Sequence, residues 1–338
     1  MTLQKGGRAI EAGGLVVPNP FWIAPLAGIT LPAVRRFFAR QGAGLTHTEM
    51  VSCAGILHNN NKTIRMLRHG EEGVPTVLQL FAGSAETLRK GAEQILNGGF
   101  DSFEALSVNM ACPMPKVTKK GAGAALLKRK SIACRMTSEL KKLERPVWIK
   151  MRLLSTERLD ETLDFIEALI SAGADHVTLH GRTPAQRYEG VSDAKSVCRV
   201  AREFPGLISA SGDVFSPEKA MEYLDAGACA VLFARGLMRD PFIVEKTTRL
   251  GMRGIDAGKR STTVEELDRL LKLGEDLYKD EGEKTALVLL KRFLSSIFKG
   301  LRGASRFRRD VAQAHSWCEM LQVSRKWRSF AERSGSNG

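Results

Sequence analysis

Eight short apolar runs recur along the first two thirds of the chain, most of them followed by a segment of helical pattern. No other feature constrains the fold as strongly. The runs are Phe21–Leu26, Leu45–Glu49, Thr76–Leu80, Ala105–Asn109, Val147–Met151, His176–His180, Leu207–Ser211 and Ala230–Phe233. Most are continuously apolar, as expected of parallel strands covered on the outside by helices. Helices are expected at Leu31–Arg40, Ala85–Leu96, Ser131–Leu143, Arg158–Ser171, Ala194–Phe204 and Pro217–Asp225, with stops at Gly42, Gly98, Gly99, Gly173 and Gly227. The pattern predicts an α/β fold, a (β/α)8 TIM barrel, with an open doubly wound sheet as the alternative. No G-x-G-x-x-G follows the first run, which weighs against a dinucleotide fingerprint.

After Arg239-Asp240-Pro241 the strand signals cease. Gly251 to Arg260 is polar and glycine-containing and reads as a linker. Helical patterns follow at Val264–Asp280, Glu283–Lys299 and Ser305–Leu321, the last fraying toward Glu332. Two domains are therefore expected: a barrel over residues 1–245 and a small helical domain over 246–338. Between Lys291 and Arg328 there are ten Lys or Arg, opposed only by Asp310 and Glu319. Such an imbalance favours a nucleic-acid surface over a merely solvated helical face. Phe307, Trp317 and Trp327, interleaved there, read as core anchors of amphipathic helices before base-stacking platforms.

The formal net charge of +14 points the same way, toward a polyanionic partner. No apolar run approaches the ~20 residues that span a bilayer, and Met1 to Pro20 lacks the apolar stretch of a signal peptide. A cytoplasmic protein with no membrane partner is expected. The six cysteines, Cys53, Cys112, Cys134, Cys198, Cys229 and Cys318, form no C-x-x-C pair, so neither a disulfide framework nor a zinc site is indicated. His176 and His180 lie ~13 Å apart along one strand and cannot share a metal. No metal site is expected.

In a TIM barrel the reactive groups stand at the C-terminal ends of the strands. Those ends are polar in this chain: Pro25-Leu26-Ala27-Gly28, Glu49, Gln79, Asn109, Lys150-Met151-Arg152, His180-Gly181-Arg182-Thr183, Ser211-Gly212-Asp213 and Ala234-Arg235-Gly236. Just past Asn109, the run Met110-Ala111-Cys112-Pro113-Met114-Pro115 fixes a cysteine between turn-forming residues. Loops after strands seven and eight often form a phosphate site, and Gly212 and Arg235 suit one. Lys150 ends an apolar strand, where an unpaired lysine is rare; it could be a Schiff-base amine or a stabiliser of developing negative charge. His180 could donate a hydrogen bond, act as a base or be a satisfied core histidine.

Taken in order, Pro25-Leu26-Ala27-Gly28, Gln79-Leu80-Phe81, Asn109-Met110-Ala111-Cys112-Pro113 with Lys116-Val117, Lys150-Met151-Arg152, Leu179-His180-Gly181-Arg182-Thr183 and Ser211-Gly212-Asp213 resemble the tRNA-dihydrouridine synthases over about residues 16 to 245. The basic helical C-terminus resembles that family's RNA-binding domain in general character. The resemblance implies an FMN-containing barrel that reduces the C5=C6 bond of uridine in tRNA, with NADPH (or NADH) as reductant. It implies that Pro25, Leu26, Ala27, Gln79, Lys150 and His180 hold the flavin ring, and that Ser211, Gly212, Asp213, Ala234 and Arg235 hold the ribityl phosphate region. Cys112 matches the family's proton donor, and Asn109, Arg152, Arg182 and Thr183 fall where flavin and target base meet. The chain departs from the family's usual residues at Leu26 (often Met), Leu31 (often Asp), Ala111 and Ala234 (often Gly) and Ser211 (often Asn). Other readings are a flavin barrel acting on ribosomal RNA or on a free pyrimidine, a Schiff-base aldolase using Lys150, and a non-catalytic RNA-binding protein.

Overall fold

The computed structural model describes residues 9–68, 73–251, 261–297 and 303–335. Eight parallel strand positions form the barrel: Phe21–Ile23, Thr46–His47 with Val51–Ser52, Thr76–Phe81, Ala105–Met110, Val147–Arg152, His176–His180, Ile208–Ser211 and Ala230–Phe233. The first strand pairs with the last (Phe21 opposite Val231), and a bridge between Trp22 and Leu45 closes the remaining seam. The expected TIM barrel is thus the observed fold.

Side chains alternate across each strand, as the two-residue period requires. Phe21, Ile23, Val147, Ile149 and Met151 face the core shared with the helices, whereas Trp22, Ala24 and Trp148 face a separate inner cluster. The same period turns Lys150 and Arg152 inward.

Two departures from the sequence expectation shape the site. The N-terminus forms a hairpin, Ile10–Ala12 against Leu15–Val17, turned by Gly13 and Gly14 at φ 54° and 80°. It seals the barrel floor: Trp148 Nε1 donates to the Gly13 carbonyl at 2.9 Å. A Cβ on Gly13 would lie 2.6 Å from His176 Cβ. A Gly-Gly pair between apolar runs is a standard hairpin signal, so the plug has a local signature in the sequence. Secondly, the expected strand Leu45–Glu49 is broken. His47 pairs with Val77 and Val51 with Leu80, so four steps on one strand match three on the other. This bulge lets Thr48 Oγ1 accept from Gln79 N–H at 3.0 Å and re-aims Glu49.

The helix Ile243–Gly251 lies against the first strand, where a Cβ on Gly251 would meet Phe21 at 3.1 Å. Nearly all of the expected linker, residues 252–260, lies outside the described residues. Helices Thr263–Glu281 and Glu283–Ile297 pack against each other and onto the barrel helix Pro32–Arg40. Phe293 sits 6.5 Å from Phe37 and 6.1 Å from Phe38, and Arg36 pairs with Asp280 at 2.6 Å. The end of the second helix, expected at Lys299, falls outside the described residues.

The single helix expected over Ser305–Leu321 is instead two, Ala304–Gln313 and Trp317–Gly335. Ser316 Oγ accepts from Glu319 N–H at 3.2 Å, and the Glu319 carboxylate accepts from His315 N–H at 2.7 Å. These bonds start a new helix and end the periodic run. Phe307 and Trp327 are buried core, and Trp327 Nε1 donates to Asp310 at 3.0 Å.

Candidate active site

Cys112 stands on the loop after the fourth strand, 7% exposed. Asn109, the inward residue of that strand, fixes it: Asn109 Oδ1 accepts from the N–H groups of Ala111 and Cys112 at 3.2 and 3.0 Å. The Asn109 amide in turn donates to Gln79 Oε1 at 2.7 Å, and Gln79 Nε2 donates to Ser107 at 3.4 Å. A chain of side-chain amides thus sets the thiol's position. Val117 and Ala122 pack against Cys112, with Met50 and Phe81 beside them.

Lys150 projects into the barrel with no hydrogen bond or ion pair among the described residues. Burial, aided by the charge of Arg152, pulls its amine down to about 7, against a smaller raising influence of Cys112. His180 faces the same space. Burial, then the charges of Lys150, Arg152, Arg182 and Arg235, brings it down to about 2, so its ring is neutral in any physiological buffer. Its Nδ1 lies 3.5 Å from Ser211 Oγ, and its Nε2 is buried with no partner among the described residues.

The arginines are disposed differently from the expectation of contact with flavin and base. Arg152, 3% exposed, donates from Nε to the Ala111 carbonyl at 2.7 Å and from Nη1 to the carbonyls of Thr183 and Arg187 at 3.2 and 2.7 Å. It ties the cysteine loop to the loop after the sixth strand. Arg182, 1% exposed, grips Asp213 with both terminal nitrogens at 3.0 and 2.6 Å and donates to the carbonyls of Glu189 and Gly190 at 3.0 and 2.7 Å. Thr183 N–H donates to Gln186 Oε1 at 2.8 Å. These three brace the mouth.

Asp213, at φ 50°, also accepts from Arg235 Nη2 at 2.7 Å and Ser192 N–H at 2.9 Å. Burial works against its ionisation, but the bonds from Arg182 and Ser192 and the two guanidinium charges hold its carboxyl below the usual range. Gly212 (φ 130°) is required in the same turn, because a Cβ there would fall 2.0 Å from Ser192 Oγ. Ala234 and Arg235 lead into the turn Gly236–Arg239. On the other side Pro25 and Leu26 are half-buried and Ala27 exposed, in a turn held by Leu26 N–H donating to Thr30 Oγ1 at 3.0 Å.

Glu49, legible along the chain only as a strand end, takes a place in the site. The bulge places it at the mouth, where it accepts from Gly28 N–H. Burial raises its carboxyl, opposed by that bond and by Arg35. Tyr188 takes a place too: half-exposed, it lies under both Arg152 and Arg235 at 5.4 Å. Its isolated place in a polar loop carried no signal. Among the described residues no group of three or more His, Cys, Asp or Glu is arranged to hold a metal, and no helix is long and apolar enough to cross a membrane.

A (β/α)8 barrel that gathers a thiol, an unpaired lysine and a neutral histidine at its strand ends is an enzyme scaffold with a built ligand mouth. The family model "Dihydrouridine synthase (Dus)" matches residues 22–332, and the chain belongs to that enzyme family. It is 30% identical to the "Probable tRNA-dihydrouridine synthase" of Treponema pallidum (strain Nichols), covering 94% of this chain and 95% of that one. It is 26% identical to "tRNA-dihydrouridine synthase B" of Pseudomonas aeruginosa, covering 97% of each. Among solved structures, morphinone reductase in complex with tetrahydroNAD matches with a TM-score of 0.52 at 14% identity, over 73% of this chain and 90% of that one. At that identity the likeness concerns the fold alone. Family membership sets aside the aldolase and non-catalytic readings.

Proposed function

We propose that the protein reduces the C5=C6 bond of uridine in tRNA to dihydrouridine in the cytoplasm, using FMN re-reduced by NADPH or NADH. The observation that carries this reading is the convergence of Cys112, Lys150 and His180 on one polar mouth, in a chain of the dihydrouridine synthase family. An FMN fits what the mouth offers. The unpartnered His180 Nε2 and the unpaired Lys150 amine suit a flat ring bearing polar edges. Gln79, Pro25, Leu26 and Ala27 complete that ring site. Ser211, Gly212, Ala234 and Arg235 would hold the phosphate end, with Asp213 acting through Arg235, since its oxygens already accept four bonds.

A reduced flavin held there would supply the hydride equivalent that C6 of uracil needs, chemistry no side chain provides. C6 accepts it because C5=C6 is conjugated to the C4 carbonyl, which leaves negative charge on C5 and the C4 oxygen. Lys150, buried at the strand ends, would stabilise negative charge on a ligand held beside its amine. Cys112 gives its proton to C5. Asn109 serves that step by fixing the thiol loop, and Arg152 by tying the loop to its neighbour. The target base reaches the mouth only by leaving its stack, at a cost of a few kcal/mol that contacts to the phosphates offset.

A Cys112→Ala variant is expected to bind flavin and accept electrons from NADPH as the wild type does, while uridine reduction in tRNA falls by more than about a hundredfold. Wild-type dihydrouridine formation by that variant would refute the acid assignment.

A further inference from the structure

We propose that the barrel carries an RNA-anchoring surface of its own: Lys116, Lys119, Lys120, Lys128 and Arg129, on the rim loop that holds Cys112, bind the phosphates flanking the target base. The inference rests on the reading of the protein as an enzyme acting on RNA. From Ala105 to Ser138 the chain has seven basic residues and no Asp or Glu. Two of the seven serve the side of the barrel: Lys130 pairs with Asp164 at 2.6 Å, and Arg135 lies in the field of Glu86 and Glu139. The other five are exposed, and none has an ion pair or side-chain hydrogen bond among the described residues.

Elsewhere on the barrel most surface lysines are neutralised by a neighbour, Lys62 and Lys195 being the exposed exceptions among the described residues. Lys90 pairs with Glu86, Lys141 with Asp175, Lys142 with Glu139 and Lys219 with Glu222. What sets the rim apart is density, five such cations within residues 116–129.

The loop is also rigidly referenced to the thiol. The Cys112 carbonyl accepts from Ala124 N–H at 3.0 Å, and a Cβ on Gly123 (φ 60°) would lie 2.6 Å from that carbonyl. The Lys120 carbonyl occupies the place a Cβ on Gly83 would need, 2.0 Å away. Val117 and Ala122 pack on Cys112 itself. A phosphate held by these cations is thereby held at a set distance from the proton donor, which is what positioning a base for reaction requires. An anionic bilayer would attract the same charges, but a flat surface gains nothing from cations tied to a recessed thiol.

The test measures binding of an unmodified tRNA transcript by fluorescence anisotropy across a salt series. The proteins are the wild type, K119Q/K120Q, K128Q/R129Q and the control K90Q/K142Q, which removes two charges from paired lysines. Each rim variant is expected to bind about tenfold more weakly at low salt and to flatten the slope of log Kd against log salt by roughly 1.5, while the control stays within about twofold. If the wild type binds no tRNA, the reading of the protein as an RNA enzyme falls. If the wild type binds and both rim variants keep its affinity and slope, or the control loses as much as they do, the rim surface is overturned and that reading stands. Loss of affinity by the rim variants for phosphatidylglycerol vesicles but not for tRNA would equally overturn it.

Discussion

The floor and the mouth of this barrel are built on the same strands, two to four residues apart, and use buried polarity in different ways. At the floor, Trp22 and Trp148 stack at 5.2 Å and His176 lies 4.5 Å from Trp148. Both indole N–H groups donate to backbone carbonyls, of Asn19 and Gly13. His47 bonds to the Ile23 carbonyl and His176 Nε2 to Ser209, each at 2.8 Å, which leaves His176 Nδ1 buried with no partner among the described residues. At the mouth, neither Lys150 nor His180 Nε2 has a partner among the described residues. Burying polar groups without partners costs stability. The floor is therefore the part that holds the barrel together, and the mouth is where binding energy remains to be gained.

Four measurements can break or sharpen that contrast. The largest effect is expected from Trp148→Ala, which removes the stack and the bond to the hairpin. It should destabilise the fold by about 4 kcal/mol in a denaturant titration, and a loss below 1 kcal/mol would show that the floor is not the stabilising half. Next, Asp213→Asn tolerates the positive φ but withdraws the charge facing the buried Arg182. A loss of about 3 kcal/mol is expected, together with weaker retention of flavin on a desalting column. An unchanged midpoint and full flavin retention would remove Asp213 from the bracing of the mouth.

The third measurement uses pH. Burial lowers His47 to about 4 and His176 to about 3, the former helped by Lys150 and the latter by His47 itself. Both therefore bind fewer protons folded than unfolded as pH drops below the ordinary histidine value, ~6.5. Their contribution is whole above that value and is lost progressively toward pH 4 for His47 and pH 3 for His176. Between pH 7 and 5, in a His180→Gln background that removes the third buried histidine, the unfolding free energy should fall by about 2 kcal/mol for each floor histidine. A midpoint that holds steady across this range would mean that the floor accommodates charge. The smallest effect separates function from stability outright. Lys150→Met, in flavin-free protein, should raise stability by about 1 kcal/mol while weakening flavin binding. A variant that keeps flavin, or that unfolds more easily, would place Lys150 among the structural residues.

Much of this was legible in the chain itself. Strand and helix periods are local, so all eight barrel positions and most helix limits could be read within a few residues. The grouping of Cys112, Lys150 and His180 followed from strand-end counting, because a parallel barrel brings every such end to one face. The hairpin at Gly13-Gly14 and the helix start at Ser316 carried local signals too, in a turn pair and a capping pattern, that a scan for long periods passed over.

What the sequence alone determined is the period of its apolar residues, and with it the barrel and the set of side chains that face its mouth. It could not determine which of those side chains remain available. Arg152 and Arg182 look like free cations along the chain, yet a loop 31 and 35 residues on supplies the Thr183 and Arg187 carbonyls that occupy Arg152, and Asp213, 31 residues on, supplies the carboxylate that grips Arg182 beside the nearer carbonyls of Glu189 and Gly190. Glu49 enters the mouth only because a bulge adds one residue to its strand relative to the neighbouring one. Hydrogen bonds and ion pairs act between groups that meet in space. Their pairing is therefore settled when the loops pack together and not before.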